Sequence, residues 1–281
     1  MSIRTEKQVA IGSGKVGVVR ESVGRRGMLK GTSGLRGSVM GDAARVVEGP
    51  TRVAGKVVCE PTAREWETWL PWVQGSVKDG QDEFQPGPPA EFVMWVDRGA
   101  KVFRYEGCKV AKAVVRGCAG EAVQLEVEVE ALRETAGEFP VLETEEDAGY
   151  LHAQGVFTLG GEAREVFEFE VRIDHQLDTE RWMNSTERSH LISKGREVRW
   201  KVWAPFSAEE VEVLQGSVGG LEATLLLTNG EGCELLFTSE VLQFAVDSPQ
   251  GLKGEEVLVV LQGVARKAGN GADLVIRQTL V

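Results

Sequence analysis

The chain has 281 residues, of which 42% are hydrophobic and 27% are charged, and its formal net charge at neutral pH is −11. This length suits two ordinary domains, and the composition is that of a soluble globular protein. No apolar run is long enough to cross a bilayer and no secretory signal is visible, so we expect no membrane partner and synthesis in a reducing cytoplasm.

Residues 1–41 differ in composition from the rest of the chain. They contain nine glycines, no aromatic residue, and eight basic residues against two acidic ones. Such a segment loses much conformational entropy on ordering and offers little apolar surface to a core. We interpret it as an extended, Gly-rich basic arm that is ordered mainly by contacts with something else. The acidic charge lies in the remaining residues and disfavours adhesion to nucleic acid.

Residues 42–136 are predicted to form a first β-domain, because apolar residues alternate with polar ones between turn signals. In the last of its strands, valines and a leucine alternate with Glu126, Glu128 and Glu130, so one face is buried and the other is wet. Residues 78–90 hold three prolines and two glycines, which predicts a protruding loop without regular structure. The strands are predicted at Phe92–Val96, Lys101–Arg104, Val110–Val115 and Val123–Ala131.

Residues 137–155 are predicted to be a linker, acidic and without periodicity, and residues 156–281 a second β-domain. The strands of the second domain are predicted at Val166–Ile173, Val198–Trp203, Leu221–Thr228, Leu235–Phe237, Val241–Val246, Val257–Val264 and Leu274–Leu280.

The two halves repeat one series of signals. In each, a strand runs into a capping box, Thr62–Glu65 in the first half and Ser207–Glu210 in the second, which predicts the start of a helix. Each helix then ends on the tetrapeptide Gln-Gly-Ser-Val, at 74–77 and at 215–218. Later strands match in the same order and at constant spacing. We therefore predict a mainly β protein with two copies of one unit, each with one short α-helix.

Two motifs could suggest chemistry. Residues 12–17 fit the dinucleotide pattern G-x-G-x-x-G, but such a site needs a helix to begin there, and the glycines that follow disfavour one. Asp174 and His175 are sequence neighbours at a strand end, with no nucleophile indicated nearby, so a turn-region histidine is the favoured interpretation. The four cysteines form no C-x-x-C pair and lie far from the three histidines. We expect no metal, no cofactor and no catalysis.

A helix carries the aromatic residues Trp66, Trp69 and Trp72, whose spacing places them loosely along one side. We favour the interpretation that these side chains cover the end or flank of a β-sandwich. The alternative is that they contact a carbohydrate or a protein.

Several segments together resemble the tail tube (major tail) proteins of long-tailed bacteriophages in their duplicated-domain form. They are Val53–Pro61 leading into the 62–75 helix, Phe92–Gly99, the Tyr105–Val110 strand, and Asp174–Leu177 followed by Met183-Asn184-Ser185. The resemblance covers roughly residues 45–281. It implies two tandem β-sandwich or barrel-like domains of the tail tube type, with the arm in addition.

The resemblance also implies a function, which is to form the channel for DNA delivery as a structural protein of the virion tail. Its partners would be copies of itself in stacked rings, other tail proteins, and double-stranded DNA that passes without specific binding. Since the chain carries two units, a homotrimer with pseudo-six-fold symmetry is expected. Glu126, Glu128 and Glu130 are the predicted acidic lining of the lumen. The predicted contacts between subunits are Arg25, Arg26, Lys30, Arg36, Phe84, Pro86 and Pro88.

Two other classes stay open at this point. A non-catalytic binding module, for a carbohydrate or a host surface, would show an exposed aromatic platform and stay monomeric. Another virion assembly protein of β structure is the other alternative. For a tail tube protein, deletion of residues 2–41 is expected to abolish tube formation while the β-domains stay folded.

Overall fold

A computed structural model describes ten segments of the chain: residues 8–12, 14–31, 46–75, 82–142, 147–182, 185–205, 219–244, 252–253, 256–269 and 271–281. The second predicted helix, with its capping box and its Gln-Gly-Ser-Val ending, lies outside these residues, as do Arg36, Met183 and Asn184.

The described residues form a mainly β protein with one α-helix. The first half contains β1 (Gln8–Ile11), β2 (Gly14–Val16), β3 (Arg20–Glu21), β4 (Gly24–Gly31), β5 (Val46–Cys59), α1 (Ala63–Gln74), β6 (Glu83–Phe84), β7 (Phe92–Asp97), β8 (Val102–Cys118), β9 (Gln124–Ala131) and β10 (Arg133–Gly137). The second half contains β11 (Gly155–Leu159), β12 (Glu162–Arg164), β13 (Glu168–Asp174), β14 (Leu177–Asp178), β15 (Ile192–Ser193), β16 (Glu197–Pro205), β17 (Leu221–Thr228), β18 (Glu234–Phe244), β19 (Leu252–Lys253), β20 (Glu256–Arg266) and β21 (Val275–Thr279).

One antiparallel sheet runs through both halves in the order β4, β5, β9, β8, β13, β16, β20 and β18. The long strand β8 belongs to two layers. Its first residues pair with β7 and β10, while its later residues pair with β9 and β13. The register shifts between Val110 and Lys112, where a bulge increases local bending. β18 is shared in the same way between β17, β21 and β20.

Burial follows the period of two that the sequence predicts. In β9 the apolar residues Leu125, Val127 and Val129 are at most 1% exposed, while Glu126 and Glu128 on the other face are half-buried. The same alternation continues in β13 and β16, so one core extends through both halves. The predicted strands of both halves are confirmed within the described residues, with two differences. Lys101–Arg104 and Val110–Val115 belong to the single strand β8, and Leu235–Phe237 belongs with Val241–Phe244 to the single strand β18, while residues 245–246 lie outside the described residues.

Helix α1 begins and ends where the sequence predicts. The Thr62 hydroxyl accepts a hydrogen bond from the Glu65 amide, and the Glu65 carboxylate accepts one from the Thr62 amide, which completes the capping box. The helix ends at Gly75, whose φ of 83° is the left-handed conformation that favours glycine. Trp66 and Trp69 are fully buried, so this face of the helix covers the sheets.

The two halves pair equivalent strands, and the register is the same throughout β5–β9 and β16–β20. Between β7–β8 and β17–β18 it agrees at one pair and then differs by one residue, since Met94 pairs with Tyr105 whereas Leu225 pairs with Phe237. β5 pairs with β9 as β16 pairs with β20, and β7 pairs with β8 as β17 pairs with β18. The equivalence extends upstream, because β3 and β4 lie beside β5 as β13 lies beside β16, and β1 lies beside β7 as β11 lies beside β17. The matched pairs include Val57↔Val127 with Val202↔Leu261, Cys59↔Leu125 with Ala204↔Val259, and Phe92↔Cys108 with Ala223↔Ser239.

The interpretation of residues 1–41 as an arm ordered by something else is wrong for residues 8–31. These residues form β1 to β4, which pair with β7 and β5 of the same chain. Val9, Ile11 and Val23 are 0% exposed and belong to the core. The composition was misleading because a few apolar side chains are enough to anchor these strands when β5 and β7 are beside them. Gly14–Val16 is a strand, so the helix N-terminus that a dinucleotide site needs does not begin at this position.

Two further boundaries differ from expectation. Glu83 and Phe84 of the predicted irregular loop form β6, which pairs with Arg277 and Ile276 of β21. In the predicted linker at 137–155, Tyr150 is 1% exposed, and single bridges join Gly149 to Thr62 and Leu151 to Ala122. The end of that segment therefore packs against the first half.

Candidate functional site

The contact between β8 and β13 is the junction at which the first half of the sheet continues into the second. Arg116 and Glu170 are direct partners in its register, and their side chains form an ion pair of 2.7 Å. Backbone hydrogen bonds close both ends of the junction: Ala119 N to Phe167 O at 3.0 Å, and His175 N to Ala111 O at 2.9 Å. Since the strands share one continuous ladder, the two halves are joined edge to edge.

In the part of the chain that the structure describes, two strand edges have no strand paired on one side. Within the described residues, β3 and β4 pair with β5 on one side and with no strand on the other, and Gln243 and Phe244 of β18 pair with β20 alone. The outward amide of Arg25 donates a hydrogen bond to the Glu134 carboxylate at 3.1 Å. Exposed strand edges offer unpaired backbone groups to other chains, so these two edges are candidate contact surfaces.

The predicted acidic row on β9 is neutralised by lysines. Lys56 Nζ lies 2.7 Å from Glu126 Oε1 and 3.1 Å from Glu128 Oε1, and Lys112 Nζ lies 3.3 Å from Glu128 Oε1. Desolvation raises the pKa of Glu128, but the hydrogen bonds and charges of the two lysines outweigh it, so the pKa is lowered. This face is a ladder of mixed charge.

The prediction that Glu130 lines a lumen is wrong, because Glu130 is 4% exposed in this chain. Its carboxylate binds the side chain of Arg52 and lies 2.8 Å from Arg188 Nη1. Arg188 is itself 3% exposed and donates hydrogen bonds from Nη2 to Ala131 O at 3.0 Å and to Val53 O at 3.2 Å. A buried pair of this kind is structural, since each charge compensates the other.

Arg188 belongs to the segment that crosses from β14 to β15. The same segment is held at Thr51, whose amide donates to Thr186 O at 2.7 Å and whose carbonyl accepts from Trp182 Nε1 at 3.4 Å. The crossing segment of the second half therefore lies on β5 and β9 of the first. Sequence reasoning missed this contact, because a polar stretch around Arg188 gives no sign of burial.

The predicted subunit contacts fall in different environments. Arg25 and Arg26 are exposed in β4, and Lys30 lies in the same strand. Phe84 is 0% exposed in the chain's own core, so the prediction that it contacts another subunit is wrong. Pro86 is half-buried and Pro88 exposed, in a loop held to the helix end by the Gly87 amide, which donates to Gln74 O at 3.1 Å.

Pro86 also lines an open groove of about 920 Å³ between β6, β18 and β21. The groove carries charges of both signs, from Glu83, Glu240 and Lys267 among others, and the Glu83 carboxylate is paired with Arg277 at 2.9 Å. Such mixed lining suits a polar contact better than an apolar ligand.

A buried polar cluster fixes the end of α1 to the second half. Arg196 donates from Nη1 to Gln74 O at 3.0 Å and from Nη2 to Gln74 Oε1 at 2.7 Å, while its Nε lies 3.1 Å from Asp273 Oδ2. Gln74 Nε2 in turn donates to Leu274 O at 2.5 Å. Lone carbonyls at a helix end need such donors when they are buried.

His175 lies in the same region and is 0% exposed, so the interpretation of a turn-region histidine misses its burial. Its Nε2 lies 2.8 Å from Val73 O. Desolvation lowers the pKa of His175 to about 4, because burial penalises the charged imidazolium. The imidazole is therefore neutral at pH 7 and donates its proton to the helix carbonyl.

Comparison with protein-family models and with curated proteins finds no match to this chain. Among the described residues, no three His, Cys, Asp or Glu side chains are grouped so that they could hold a metal ion. No helix in the described segments is long and apolar enough to cross a membrane.

Proposed function

We propose that this chain is a tail tube protein of a long-tailed bacteriophage, a non-enzymatic virion component that assembles into rings stacked as a DNA-conducting tube. The matched strand pairing of the two halves, with β5–β9 and β16–β20 in the same register, carries the proposal. This pairing supports two tandem β-domains of one design, which is the duplicated form that the sequence resembles.

The junction between β8 and β13 supports a ring of such units. Two copies that continue one sheet edge to edge leave one open edge at each end of the series, at β4 and at β18. A closed ring removes both edges, and closure is a common way in which β proteins avoid uncontrolled edge pairing. Three chains, each with two units, would give the pseudo-six-fold ring.

The charges of the chain agree with a channel for DNA. The net charge of −11 disfavours binding to phosphates, since binding requires cations that release counterions. On β9, Glu126 and Glu128 remain the proposed lining residues. Their lysine partners make this face nearly neutral, which still leaves few cations free to retain DNA.

A binding module is less well supported. Its expected aromatic platform was the tryptophan series of α1, but Trp66 and Trp69 are fully buried, and Trp72 packs on Phe92 with ring centroids 5.2 Å apart. Trp66 and Trp69 therefore belong to the core, and the half-buried Trp72 packs against it, so the three do not form an exposed aromatic platform.

Negative-stain electron microscopy of the purified protein over a range of concentrations tests the proposal. We expect hollow tubes, or rings with three-fold symmetry, and light scattering should show a mass that is a multiple of three chains. A protein that stays monomeric at the highest concentrations would contradict the proposal and favour the binding module.

A further inference from the structure

We propose that one sheet face of the second half binds a second copy of this chain. The face belongs to the layer of β11, β17, β18 and β21. Its occupant is the outward face of β1, β7, β10 and the first residues of β8 in the other copy. The contact joins sheet faces, whereas the proposed ring joins strand edges, so the inference goes beyond the proposed function.

A row of aliphatic side chains crosses the second-half layer on its solvent side. Val156, Leu226 and Leu236 are direct partners in the registers of β11, β17 and β18. Val156 is 48% exposed and the two leucines are half-buried. Leu225 and Phe237, which alternate with them, point into the core and are at most 1% exposed. The row is therefore apolar on a face where antiparallel sheets usually carry polar residues.

The neighbouring row on the same face consists of threonines. Thr158, Thr224 and Thr238 are direct partners on the same three strands and are half-buried. The hydroxyls of Thr158 and Thr224 bond to each other at 2.5 Å, so this pair is satisfied without water. The three aliphatic residues and the three threonines together form the uncharged patch. Apolar patches with a polar rim are typical of protein contact surfaces.

Glutamates surround the uncharged patch. Glu222 and Glu240 flank the threonine row, Glu234 flanks the aliphatic row, and all three are exposed. Arg277 of β21 is paired with Glu83 at 2.9 Å. The rim thus carries four glutamates and one arginine, a net charge of −3. Two copies of the patch would bring like charges together, which disfavours a contact of the patch with itself.

The outward face of the first-half layer carries a tryptophan beside an arginine. Ala10, Trp95 and Arg104 are successive partners across β1, β7 and β8. Trp95 is half-buried, and the guanidinium carbon of the exposed Arg104 lies 5.9 Å from its ring centroid. Tryptophan and arginine are the residues that most often anchor protein interfaces.

The charge of this first-half face is opposite in sign to that of the glutamate rim. Where its strands form one layer, the described residues supply three cations and two carboxylates, a net charge of +1. The cations are Lys15, Arg104 and Arg133, and the carboxylates are Asp97 and Glu106. Two sheet faces pack about 10 Å apart, so the tryptophan would lie on the uncharged patch and the cations would face its rim.

The contact is heterologous, because two different surfaces meet. A second copy bound in this way keeps its own uncharged patch free for a third. Glu126 and Glu128 lie on the charged face of the other layer, so the contact leaves the proposed lumen lining uncovered.

Two variants and their mixture test the proposal. Sedimentation velocity up to about 100 μM should show self-association of the unaltered chain, which suits an interface of small area. Leu226→Glu puts a charge in the patch, and Trp95→Thr removes the anchor. Each should raise the dissociation constant about 30-fold or more. An equimolar mixture should form a 1:1 complex and grow no further, because one variant keeps the tryptophan face and the other keeps the patch.

Matched controls lie on the charged face of the other layer. Val264→Glu makes the same change of charge at a half-buried position opposite Arg199. Trp203→Thr removes a half-buried tryptophan whose ring centroid lies 4.3 Å from Lys201 Nζ. Both controls should associate as the unaltered chain does.

A second pair of variants, Thr224→Glu and Arg104→Glu, repeats the test at polar positions, where a change of charge threatens folding less. Circular dichroism before and after mixing identifies any variant that is unfolded. The second pair should reproduce both the loss of association and its recovery in the mixture.

The outcomes separate this contact from the proposed tube. Single variants that associate as strongly as their controls would overturn the contact, and rings among them would leave the tube proposal standing. Association that persists in Trp95→Thr alone would show that the patch binds a different surface, which also overturns the proposal. A 1:1 complex in the mixture without rings at any concentration would support the contact and contradict the tube.

Discussion

His175 of the second half binds the end of the first-half helix, with its Nε2 2.8 Å from Val73 O. The imidazole is buried beside Arg196, which holds Gln74 of the same helix turn. A neutral histidine and a half-buried arginine thus both donate hydrogen bonds to carbonyls at the helix end. Charging the histidine would place two cations together in a dry site, so this contact is sensitive to pH.

The free energy of unfolding should fall as the pH drops from 7 to 5. The pKa of His175 is about 4 in the folded chain and near 6.5 when it is unfolded, so the unfolded chain binds the proton first. The stabilisation is fully present above the unfolded pKa and is lost as the pH falls towards the folded one. Linkage gives a loss of about 2 kcal/mol from His175 over this interval. Urea titrations at each pH measure it.

His175→Gln provides the control, because glutamine can donate to Val73 O but does not titrate. The free energy of unfolding of this variant should therefore fall by about 2 kcal/mol less between pH 7 and pH 5 than that of the unaltered chain. Burial also lowers the pKa of His152, so some pH dependence will remain in the variant. An NMR titration that places the pKa of His175 near 6.5 would refute the prediction.

Loss of Glu130 should destabilise the chain strongly. Glu130→Ala leaves the guanidinium of Arg188, which is 3% exposed, without its buried counter-charge. Breaking one side of a buried pair costs about 3–5 kcal/mol. Chemical denaturation would measure the change.

Glu128→Ala on the same strand is the matched control. Its partners Lys56 and Lys112 keep solvent contact, so the loss should stay below about 1 kcal/mol. If the two variants lose the same free energy of unfolding, the buried pair of Glu130 and Arg188 stabilises the fold no more than the exposed pairs of Glu128 do.

The strands around this cluster could be predicted from sequence, and the cluster itself could not. Alternation in β9 and the capping box at Thr62 are local signals, and both appear in the structure where they were expected. Glu130 continues the same alternation as Glu126 and Glu128. Its burial depends on Arg188, 58 residues later, and no periodicity links the two positions.

Residues 8–12 and 14–31 should be needed for folding of the first half, which corrects the expectation that the β-domains stay folded when residues 2–41 are deleted. Ile11 is 0% exposed, and truncation of a buried isoleucine to alanine costs about 2–5 kcal/mol. Ile11→Ala should therefore lower the denaturation midpoint markedly, and the deletion should abolish cooperative unfolding.

Val19→Ala is the control for this prediction, since Val19 is 62% exposed and its truncation should change stability little. A deletion variant that unfolds as cooperatively as the full chain would restore the original interpretation of an independent arm.

Gly55 should not tolerate a side chain. A Cβ there would overlap the backbone of Val23 and the carbonyl of Ser22, which is 2.5 Å from its position. Gly55→Ala must push β3 and β4 away from β5, at a cost of about 1–3 kcal/mol. Limited proteolysis should then cut the 14–31 segment faster. Gly24→Ala, where a Cβ meets nothing within 4 Å, should behave like the unaltered chain.

Removal of Glu134 should speed self-association. Glu134→Ala frees the Arg25 amide, so a second copy no longer has to displace a carboxylate from the β4 edge. Light scattering after dilution from denaturant would follow the rate. Glu138→Ala, an exposed acidic residue nearby, controls for the change in net charge. A slower or unchanged rate in Glu134→Ala alone would contradict a protective role.

The open edges could not be found from the sequence, for a reason that residues 8–31 illustrate. The glycines and arginines of β4 give no alternation of apolar and polar residues, so the sequence does not predict a strand there. The strand is recognised only from its pairing with β5. The repeat was visible downstream of Val53, where apolar alternation is strong, but its first strands became apparent only through the pairing of β13 with β16.

In the proposed ring, the junction between β8 and β13 would also determine how many chains the assembly holds. The contact is heterologous, meaning that each unit offers one edge and receives the other, so growth stops only when successive rotations complete a circle. Six units require a rotation of about 60° at every contact, within and between chains alike. Gly117 lies in this junction, where a Cβ would meet the ring of Phe169. If the chain forms the proposed ring, bulk at that position would alter the rotation and convert the closed ring into an open spiral.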